Sequence, residues 1–498
     1  MTKEILDRAD ALMTQGRVQE AVLLTQVLVD QPHATHSALA AHAAVLKLLG
    51  RREEALPFNE QAIARFGDSG VAWHNYAATL GDLGRAAQSK AACEKAFALG
   101  LDAAETWSVL ARAELAVGNA EAAEAAYRGS LKRQPGNFTV AMEFANVAWM
   151  RRGDLVEAEA IIDDCFVAGG QPAPLLLAKA KLIESAGQPE RAADLLGAAA
   201  QTLARELPVV LAAAQAALEV GRLAEAERLA RQAEGLNPEA RSLFNQWAII
   251  HLAAGRPQEA LAKARAGLAR HPDDQSLWGW AATAARAAGD PLYAEICDYD
   301  AMVGAYDIET PEGWDSLEGF LRDLAKSLKK LHLYEQHPSN QSLRQGSQTQ
   351  HLLTGSDDPA VQAFFRAVDG PIRAHIARLG EGAGPLRGRN TGDYRIQGAW
   401  SVRLRPGGFH RDHFHPQGWL SSAFYVETPD AALETEAREG WIRFGQPPFA
   451  TDPALPAEHF VKPKPGRLVL FPSYMWHGTV PFTTDETRMT IAFDAVPK

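Results

Sequence analysis

Hydrophobic and polar residues recur along the first 300 residues with a period much longer than one helical turn. Glycines lie 34 residues apart, with one interval of 35, and a small residue follows five positions after each. Such a glycine allows the left-handed turn that ends a helix, and the small residue lets the next helix pack closely. The glycines are Gly16, Gly50, Gly84, Gly118, Gly153, Gly187, Gly221, Gly255 and Gly289, and the small residues are Ala21, Ala55, Ser89, Ala123, Ala158, Ala192, Ala226, Ala260 and Ala294. The pattern predicts about nine helix–turn–helix repeats.

The unit around Gly118 adds aromatic and proline positions to this pattern. Its marker residues are Trp107, Leu110, Ala111, Gly118, Ala123, Tyr127 and Pro135. Residues 1–300 therefore resemble a tetratricopeptide-repeat solenoid. The resemblance implies a superhelix with an extended groove that binds a peptide or protein substrate or partner. Self-association as a homodimer and bracing of the C-terminal region stay open as other uses.

The pattern changes after Gly289. Turn residues fill Asp307–Trp314, and leucines from Leu317 to Leu331 form one stripe of an amphipathic helix. A second helix is predicted from Pro359 to Leu379. Short β-rich runs follow at 398–405, 420–428, 440–446, 466–472, 477–482 and 487–496. The chain is thus predicted to be multidomain: an all-α solenoid over 1–300, supporting helices over 301–395, and an α+β jelly-roll whose core is 396–498.

Composition narrows the class of protein. The chain has 498 residues, of which 47% are hydrophobic, so it can bury more than one core. The net charge of −11 argues against nucleic acid or an anionic membrane as a partner. No apolar run reaches the length of a membrane span, and the three cysteines form no disulfide framework. A cytoplasmic protein is expected.

Histidines near the C-terminus have the spacing of metal ligands. His413 and His415 are two residues apart, so in an extended chain both imidazoles face the same side. A third ligand from a distant strand, for which His477 is the candidate, would complete a three-point site with open positions for substrate and oxygen. His410 and Asp412 form a competing pair with a His-x-Asp pattern. Both pairs stay open, and the absence of thiolates disfavours a structural zinc site.

The same segments carry a family resemblance. Gly408–Pro416, Gly418–Val426, Gly466–Ser473 and Arg488–Phe493 are similar to the double-stranded β-helix oxygenases that depend on Fe(II) and 2-oxoglutarate, in particular a bacterial group with a His-x-His-Pro metal motif. The resemblance implies His413 and His477 as iron ligands and Arg488 as the partner of the distal 2-oxoglutarate carboxylate. His415 stands where the wider superfamily usually has an aspartate.

The resemblance also sets the expected function. Ser421, Ser422 and Tyr425 lie on a strand whose alternate side chains face the pocket. One of them is expected to hydrogen-bond 2-oxoglutarate, and Ser422 and Tyr425 are the candidates. With Fe(II), 2-oxoglutarate and O2, the chain would be a dioxygenase that hydroxylates a peptide or protein side chain presented by the repeats. One alternative is an oxygenase acting on a small-molecule or carrier-bound substrate. Another is a non-catalytic repeat adaptor with a degenerate oxygenase domain.

Overall fold

The structure is a computed structural model that describes residues 2–349, 353–433 and 436–498. Helices fill the first 300 residues, and helices and strands share the rest. The chain divides into two compact units, Met1–Phe144 with Val167–Gly170 and Ala145–Phe166 with Gln171–Lys498. The predicted fold class, a helical repeat region followed by a domain built on antiparallel sheets, is confirmed.

Paired antiparallel helices form the repeat region. Its helices are α1 (Thr2–Thr14), α2 (Val18–Val29), α3 (His36–Leu48), α4 (Arg52–Arg65), α5 (Gly70–Asp82), α6 (Ala86–Ala98), α7 (Ala104–Ala116), α8 (Ala120–Arg133), α9 (Phe138–Arg152), α10 (Leu155–Val167), α11 (Pro172–Ser185), α12 (Pro189–Thr202), α13 (Leu207–Glu219), α14 (Leu223–Leu236), α15 (Arg241–Ala253), α16 (Pro257–Arg270), α17 (Gln275–Ala288), α18 (Leu292–Ile296) and α19 (Tyr299–Met302).

The repeat glycines end the first helix of each pair. All nine have φ between 67° and 85°, the left-handed region that a residue with a Cβ rarely adopts. Gly289, for example, caps α17 at φ 67°. The predicted close packing holds at Ala260, which is fully buried, but fails at Ala294, which is exposed. The cause is the length of α18, which ends after five residues and covers little of its neighbour.

Helices of the C-terminal region pack on one face of a large sheet. These helices are α20 (Leu317–Lys329), α21 (Pro359–Leu379) and α22 (Gly384–Arg387). The strands are β1 (Gly304–Asp307), β2 (Leu343–Gln348), β3 (Tyr394–His410), β4 (Leu420–Glu427), β5 (Ile442–Phe444), β6 (His459–Val461), β7 (Arg467–Pro472), β8 (His477–Thr479) and β9 (Arg488–Pro497). Strands β1, β2 and β6 were absent from the sequence prediction, whereas α21 has the predicted bounds.

Two antiparallel sheets form within the described residues. The larger has the order β1-β7-β4-β9-β3-β2, and the smaller has the order β6-β5-β8. The central strand β4 is buried at seven of its eight positions, and its buried residues include Ser421 and Ser422 beside the apolar run Ala423–Val426. Phe364 of α21 packs on Phe424 of β4 with ring centroids 4.9 Å apart. Burial of aromatic side chains of this kind contributes about 1.5–3 kcal/mol each and fixes the helix against the sheet.

Repeat helices of the second unit also hold the chain that leads into β2. Trp149 Nε1 donates to the carbonyl of His337 at 2.9 Å, and the Ser185 hydroxyl donates to the carbonyl of Ser339 at 2.6 Å. These bonds satisfy backbone groups of an irregular segment that would otherwise need water. They bring Ser342, at the end of this segment, to the edge of the sheet.

Two smaller expectations concern cysteines and membranes. Cys93, Cys165 and Cys297 are free and buried. Among the described residues, no helix has the length and apolar character that crossing a bilayer requires.

Candidate metal centre and cleft

A short antiparallel bridge joins two of the histidines. The N–H of His413 donates to the carbonyl of His477, and the N–H of His477 donates to the carbonyl of His413, both at 2.9 Å. Their ring centroids are consequently 4.2 Å apart. The residue that follows His477 must be small, because a Cβ at Gly478 would lie 2.5 Å from Asp412 Oδ1. The backbone itself therefore sets the pair side by side.

His415 completes a cluster of three imidazoles. One nitrogen from each of His413, His415 and His477 lies within 4.8 Å of the others, which is a separation that one metal ion can bridge. Among the described histidine, cysteine and acidic side chains, these three histidines form the group that has ligand atoms this close together. The ring of His415 is centred 5.1 Å from that of His413 and 5.0 Å from that of His477.

Each of the three rings has an oxygen atom within hydrogen-bond distance of its Nδ1 that can accept a hydrogen bond from it. His413 Nδ1 donates to the carbonyl of Arg411 at 2.8 Å, and His477 Nδ1 donates to the carbonyl of Met475 at 3.0 Å. A carbonyl oxygen can only accept, so Nδ1 carries the proton and the Nε2 lone pair is left for a metal.

Asp494 supplies the corresponding partner for His415. Its Oδ1 lies 2.6 Å from His415 Nδ1 and accepts a hydrogen bond from the Ser421 hydroxyl at 2.7 Å. Burial opposes the charge on Asp494, but His415 and the two hydrogen bonds outweigh it and lower the pKa of the carboxyl group. An ionised carboxylate behind a histidine fixes its tautomer and orientation and makes it a stronger ligand.

Asp494 was missed in the sequence analysis, although a signal for it was present. Arg488, Thr490, Ala492 and Asp494 occupy alternate positions of β9, and all four line the same cleft. Strand periodicity read onward from Arg488 would have placed Asp494 on the cleft side.

The competing pair has other partners. Arg443 donates two hydrogen bonds to the Asp412 carboxylate, from Nε to Oδ1 at 3.0 Å and from Nη2 to Oδ2 at 2.6 Å. Burial raises the pKa of Asp412, and the contact with Arg443 limits that rise. The Ser342 hydroxyl lies 3.1 Å from both His410 Nδ1 and His413 Nε2, so it links the His410 ring to the cluster. Ser342 was not identified as a candidate in the sequence analysis.

Arg488 is a buried cation that has no anionic partner among the described residues. The residue is 2% exposed, it forms no ion pair within that part of the chain, and its Nε is an unsatisfied donor. The guanidinium carbon lies 5.0 Å from the centroid of the Tyr425 ring. The Tyr425 hydroxyl is buried beside it without reaching hydrogen-bond geometry. A buried charge of this kind is costly unless a ligand neutralises it.

Ser422, the other predicted contact of 2-oxoglutarate, bonds to the neighbouring strand. Its hydroxyl donates to the carbonyl of Phe493 at 3.0 Å and accepts from the N–H of Phe493 at 2.8 Å. It fills a gap in the pairing of β4 with β9, and it also lines the cleft.

Large aromatic side chains alternate with the histidines and point away from them. Phe414 and Trp476 pack together with ring centroids 4.4 Å apart, and Trp476 packs on Trp280 of α17 at 4.7 Å. Trp476 Nε1 donates to the Thr283 hydroxyl of the same helix at 2.7 Å. The last long repeat helix thus supports the backbone that carries the histidines.

A cleft of about 770 Å³ contains the cluster. Arg488, Thr490 and Asp494 of β9 line this cleft. It is also lined by repeat residues of the second unit, namely Lys181, Glu184, Gln215, Glu219, Ile249 and Trp280. The volume is within the range of sites that hold small ligands and leaves room for a substrate beside a co-substrate.

Comparison with known families agrees with this geometry. Residues 398–494 match the family described as "Putative 2OG-Fe(II) oxygenase". The C-terminal part of the chain is a 2OG-Fe(II) oxygenase domain. The matched segment includes the three clustered histidines, Arg488 and Asp494.

Solved structures resemble the chain more distantly. The Cut9–Hcn1 hetero-tetramer of the APC/C aligns at 14% identity and a TM-score of 0.33, over 56% of this chain and 55% of that one. The chain thus spans about half the length of that relative. PilF of Pseudomonas aeruginosa aligns at 19% identity and a TM-score of 0.34, over 40% of this chain and 90% of its own. No curated protein matches the chain.

The donor set of the oxygenase domain fits the Fe(II) that its family implies. Imidazole nitrogen is a good ligand for Fe(II), and the three Nε2 atoms are the donors left over by the Nδ1 contacts. Removal from water lowers the pKa of His413 to about 3, with a further contribution from His415. The same cause holds the pKa of His477 well below its ordinary value. Both rings are therefore neutral near pH 7, as a ligand must be.

Proposed function

We propose that the chain is a dioxygenase dependent on Fe(II) and 2-oxoglutarate that hydroxylates a side chain of a peptide or protein. The observation that carries the proposal is the presence, in one cleft, of a preformed three-histidine cluster and a buried arginine without an ion-pair partner among the described residues. A cluster alone would fit many metalloproteins. The buried positive charge of Arg488 calls for an anionic ligand beside the metal.

His413, His415 and His477 would hold Fe(II), which would supply the oxidising chemistry that couples hydroxylation of a C–H bond by O2 to the conversion of 2-oxoglutarate into succinate and CO2. The residues around it orient the ligands: Arg411 and Met475 through their carbonyls, and Asp494 through its carboxylate. The His410 and Asp412 pair remains the alternative, but the Arg443 contact of Asp412 favours the first set.

Arg488 would bind the distal carboxylate of 2-oxoglutarate. Its planar fork can donate two parallel hydrogen bonds to a carboxylate, and burial strengthens them. The Tyr425 hydroxyl, which has no hydrogen-bond partner by geometry among the described residues, would offer a further donor at the same place. Ser422 is a weaker candidate for binding 2-oxoglutarate, because its hydroxyl already makes two hydrogen bonds with the backbone of Phe493.

The repeat residues that line the cleft are the observation in favour of a peptide or protein as the substrate. We propose that the solenoid over residues 1–300 recruits the substrate, that residues 301–395 support the sheets, and that residues 396–498 carry the chemistry. Self-association as a homodimer is a separate proposal for the same repeats.

Turnover separates this function from its alternatives. Purified chain with Fe(II), ascorbate, 2-oxoglutarate and O2 should release succinate, and a peptide substrate should increase the rate and gain one oxygen atom by mass. Succinate release stimulated only by a small molecule would favour the second hypothesis. Absence of any succinate with iron bound would favour a degenerate domain.

A further inference from the structure

We propose that the substrate binds as an extended peptide along helices α11, α13 and α15, with an acidic residue at the Lys181 end and an apolar residue at the Ile249 end next to the hydroxylated position. This proposal rests on the proposed function and adds which side chains the substrate has and in which direction it binds. The evidence for it is the set of repeat residues that line the cleft.

Lys181, Gln215 and Ile249 occupy equivalent positions of three successive repeats. They lie 34 residues apart in the sequence, and all three line the cleft. The next equivalent residue is Thr283 of α17, whose hydroxyl accepts the hydrogen bond of Trp476 directly before His477. One row of repeat positions therefore leads to the metal cluster.

The length of this row suits a short extended segment. Packed helices lie about 8–10 Å apart, so the row from Lys181 to Ile249 covers about 20 Å. An extended chain rises about 3.3 Å per residue, which gives about six residues. The side-chain amides of Asn340 and Gln341, which also line the cleft, form no hydrogen bonds within the described part of the chain. Each amide can donate to and accept from a peptide backbone.

The Ile249 end of the row is apolar. Ile249 and Trp280 line the cleft there together with Phe414, whose ring is centred 5.9 Å from that of Trp280. This wall lies next to the ligands His413 and His415. An apolar side chain beside the reacting residue would cover it and exclude water.

The Lys181 end of the row has an excess of positive charge. Glu184 is contacted by Arg411 at 2.9 Å, by Lys181 at 2.6 Å and by Arg344 at 3.9 Å. Glu219 adds a second carboxylate to the cleft, and Asp412 adds a third that is neutralised by Arg443, which leaves three cations against two anions at this end. The chain as a whole has a net charge of −11, so this positive end is a local exception. It would attract an acidic side chain and orient the peptide.

Selection from a peptide library tests the proposal. The full chain is loaded anaerobically with Fe(II) and 2-oxoglutarate, so that no turnover occurs, and mixed with a library of synthetic nonapeptides randomised at every position. Bound peptides are sequenced by mass spectrometry. Enrichment of Asp or Glu about six residues from an enriched apolar residue supports the proposal. The proposal is overturned if the bound peptides show no positional preference or a preference for Lys or Arg. It is also overturned if the chain retains only nonpeptidic additives.

Variants assign the preference to the row. Lys181→Glu should reduce the acidic enrichment by roughly tenfold, and Ile249→Asp should remove the apolar preference. Lys326→Glu, an exposed change on α20 outside the cleft, should leave both unchanged. Equal effects of Lys181→Glu and Lys326→Glu would overturn the assignment. Peptide selection needs no catalysis, so the two proposals can fail separately. A peptide preference without succinate formation refutes only the proposed activity. Succinate formation without a peptide preference refutes only the binding of the substrate along Lys181, Gln215 and Ile249.

Discussion

The backbones of His413 and His477 exchange two hydrogen bonds of 2.9 Å, which sets two rings from distant parts of the chain 4.2 Å apart. The bridge belongs to the protein and does not depend on a metal. The cluster is therefore preorganised, and binding a metal should require little rearrangement of the backbone. Loss of one ligand should then remove metal binding without unfolding the domain.

His477→Ala is expected to abolish Fe(II)-dependent formation of succinate. The remaining two imidazoles cannot hold the ion in the required geometry, so bound iron should fall together with activity. Iron content by a chelator assay and succinate by mass spectrometry check this. His33→Ala, a change at an exposed histidine, serves as the control. Retained iron and activity in His477→Ala would show that this residue is not a ligand.

Arg488→Gln is expected to raise the dissociation constant for 2-oxoglutarate by roughly 100-fold, since it removes a buried charge-assisted pair. Iron affinity should change little, because Arg488 is not a ligand. Calorimetry with each ligand separates the two effects. Arg395→Gln, at an exposed position of β3, is the matched control. An unchanged affinity for 2-oxoglutarate would place the carboxylate site elsewhere in the cleft.

Asp494→Asn is expected to lower the affinity for Fe(II) by roughly 10–100-fold. The amide is nearly the same size but carries no charge, so it holds the His415 tautomer less firmly. Competition against a chelator under anaerobic conditions measures this without turnover. Asp485→Asn, an exposed change, should have no effect. If Asp494→Asn binds iron as tightly as the natural chain, the carboxylate does not act on His415.

The buried His375 makes stability depend on pH. Burial, with a smaller effect of Arg378, lowers the pKa of His375 to about 3. The unfolded chain takes up a proton near pH 6.5, so this contribution to stability is complete above that pH and is lost as the pH falls toward 3. The slope is at most about 1.4 kcal/mol per pH unit. Nδ1 lies 2.9 Å from the Tyr306 hydroxyl, a contact that glutamine can also accept.

His375→Gln should therefore flatten the fall in melting temperature between pH 7 and pH 5. Thermal unfolding of the metal-free chain across this range measures the effect, with His33→Gln as the exposed control. Identical pH profiles for His375→Gln and the natural chain would mean that folding does not lower the pKa of His375.

Local patterns predicted the parts of the fold that local forces determine. The observed bounds of α21 are those predicted, and the left-handed glycines were predicted from their spacing of 34 residues, with one interval of 35. The candidate histidines were also identified, because two of them alternate on one segment. Contacts between strands or side chains that lie far apart in the sequence were not predicted. The edge strand β1 is four residues long and has no marked pattern, and the contact of Asp494 with His415 depends on how β9 packs beside β4.

The row of Lys181, Gln215 and Ile249 shows the same limit. Its period was visible in the sequence, but which of the many equivalent positions face the metal could not be read from it. That depends on where α17 meets Trp476 and Phe414, a contact made by side chains of two different domains in the sequence prediction.

Anaerobic titration of the full chain with Fe(II) and then 2-oxoglutarate, followed by visible absorption, tests the central claim most directly. The account predicts a charge-transfer band that needs both ligands, is lost in His477→Ala, and in Arg488→Gln appears only at much higher 2-oxoglutarate. Tight iron binding without the band would contradict the role of 2-oxoglutarate. No iron binding at all would contradict the metal centre of His413, His415 and His477.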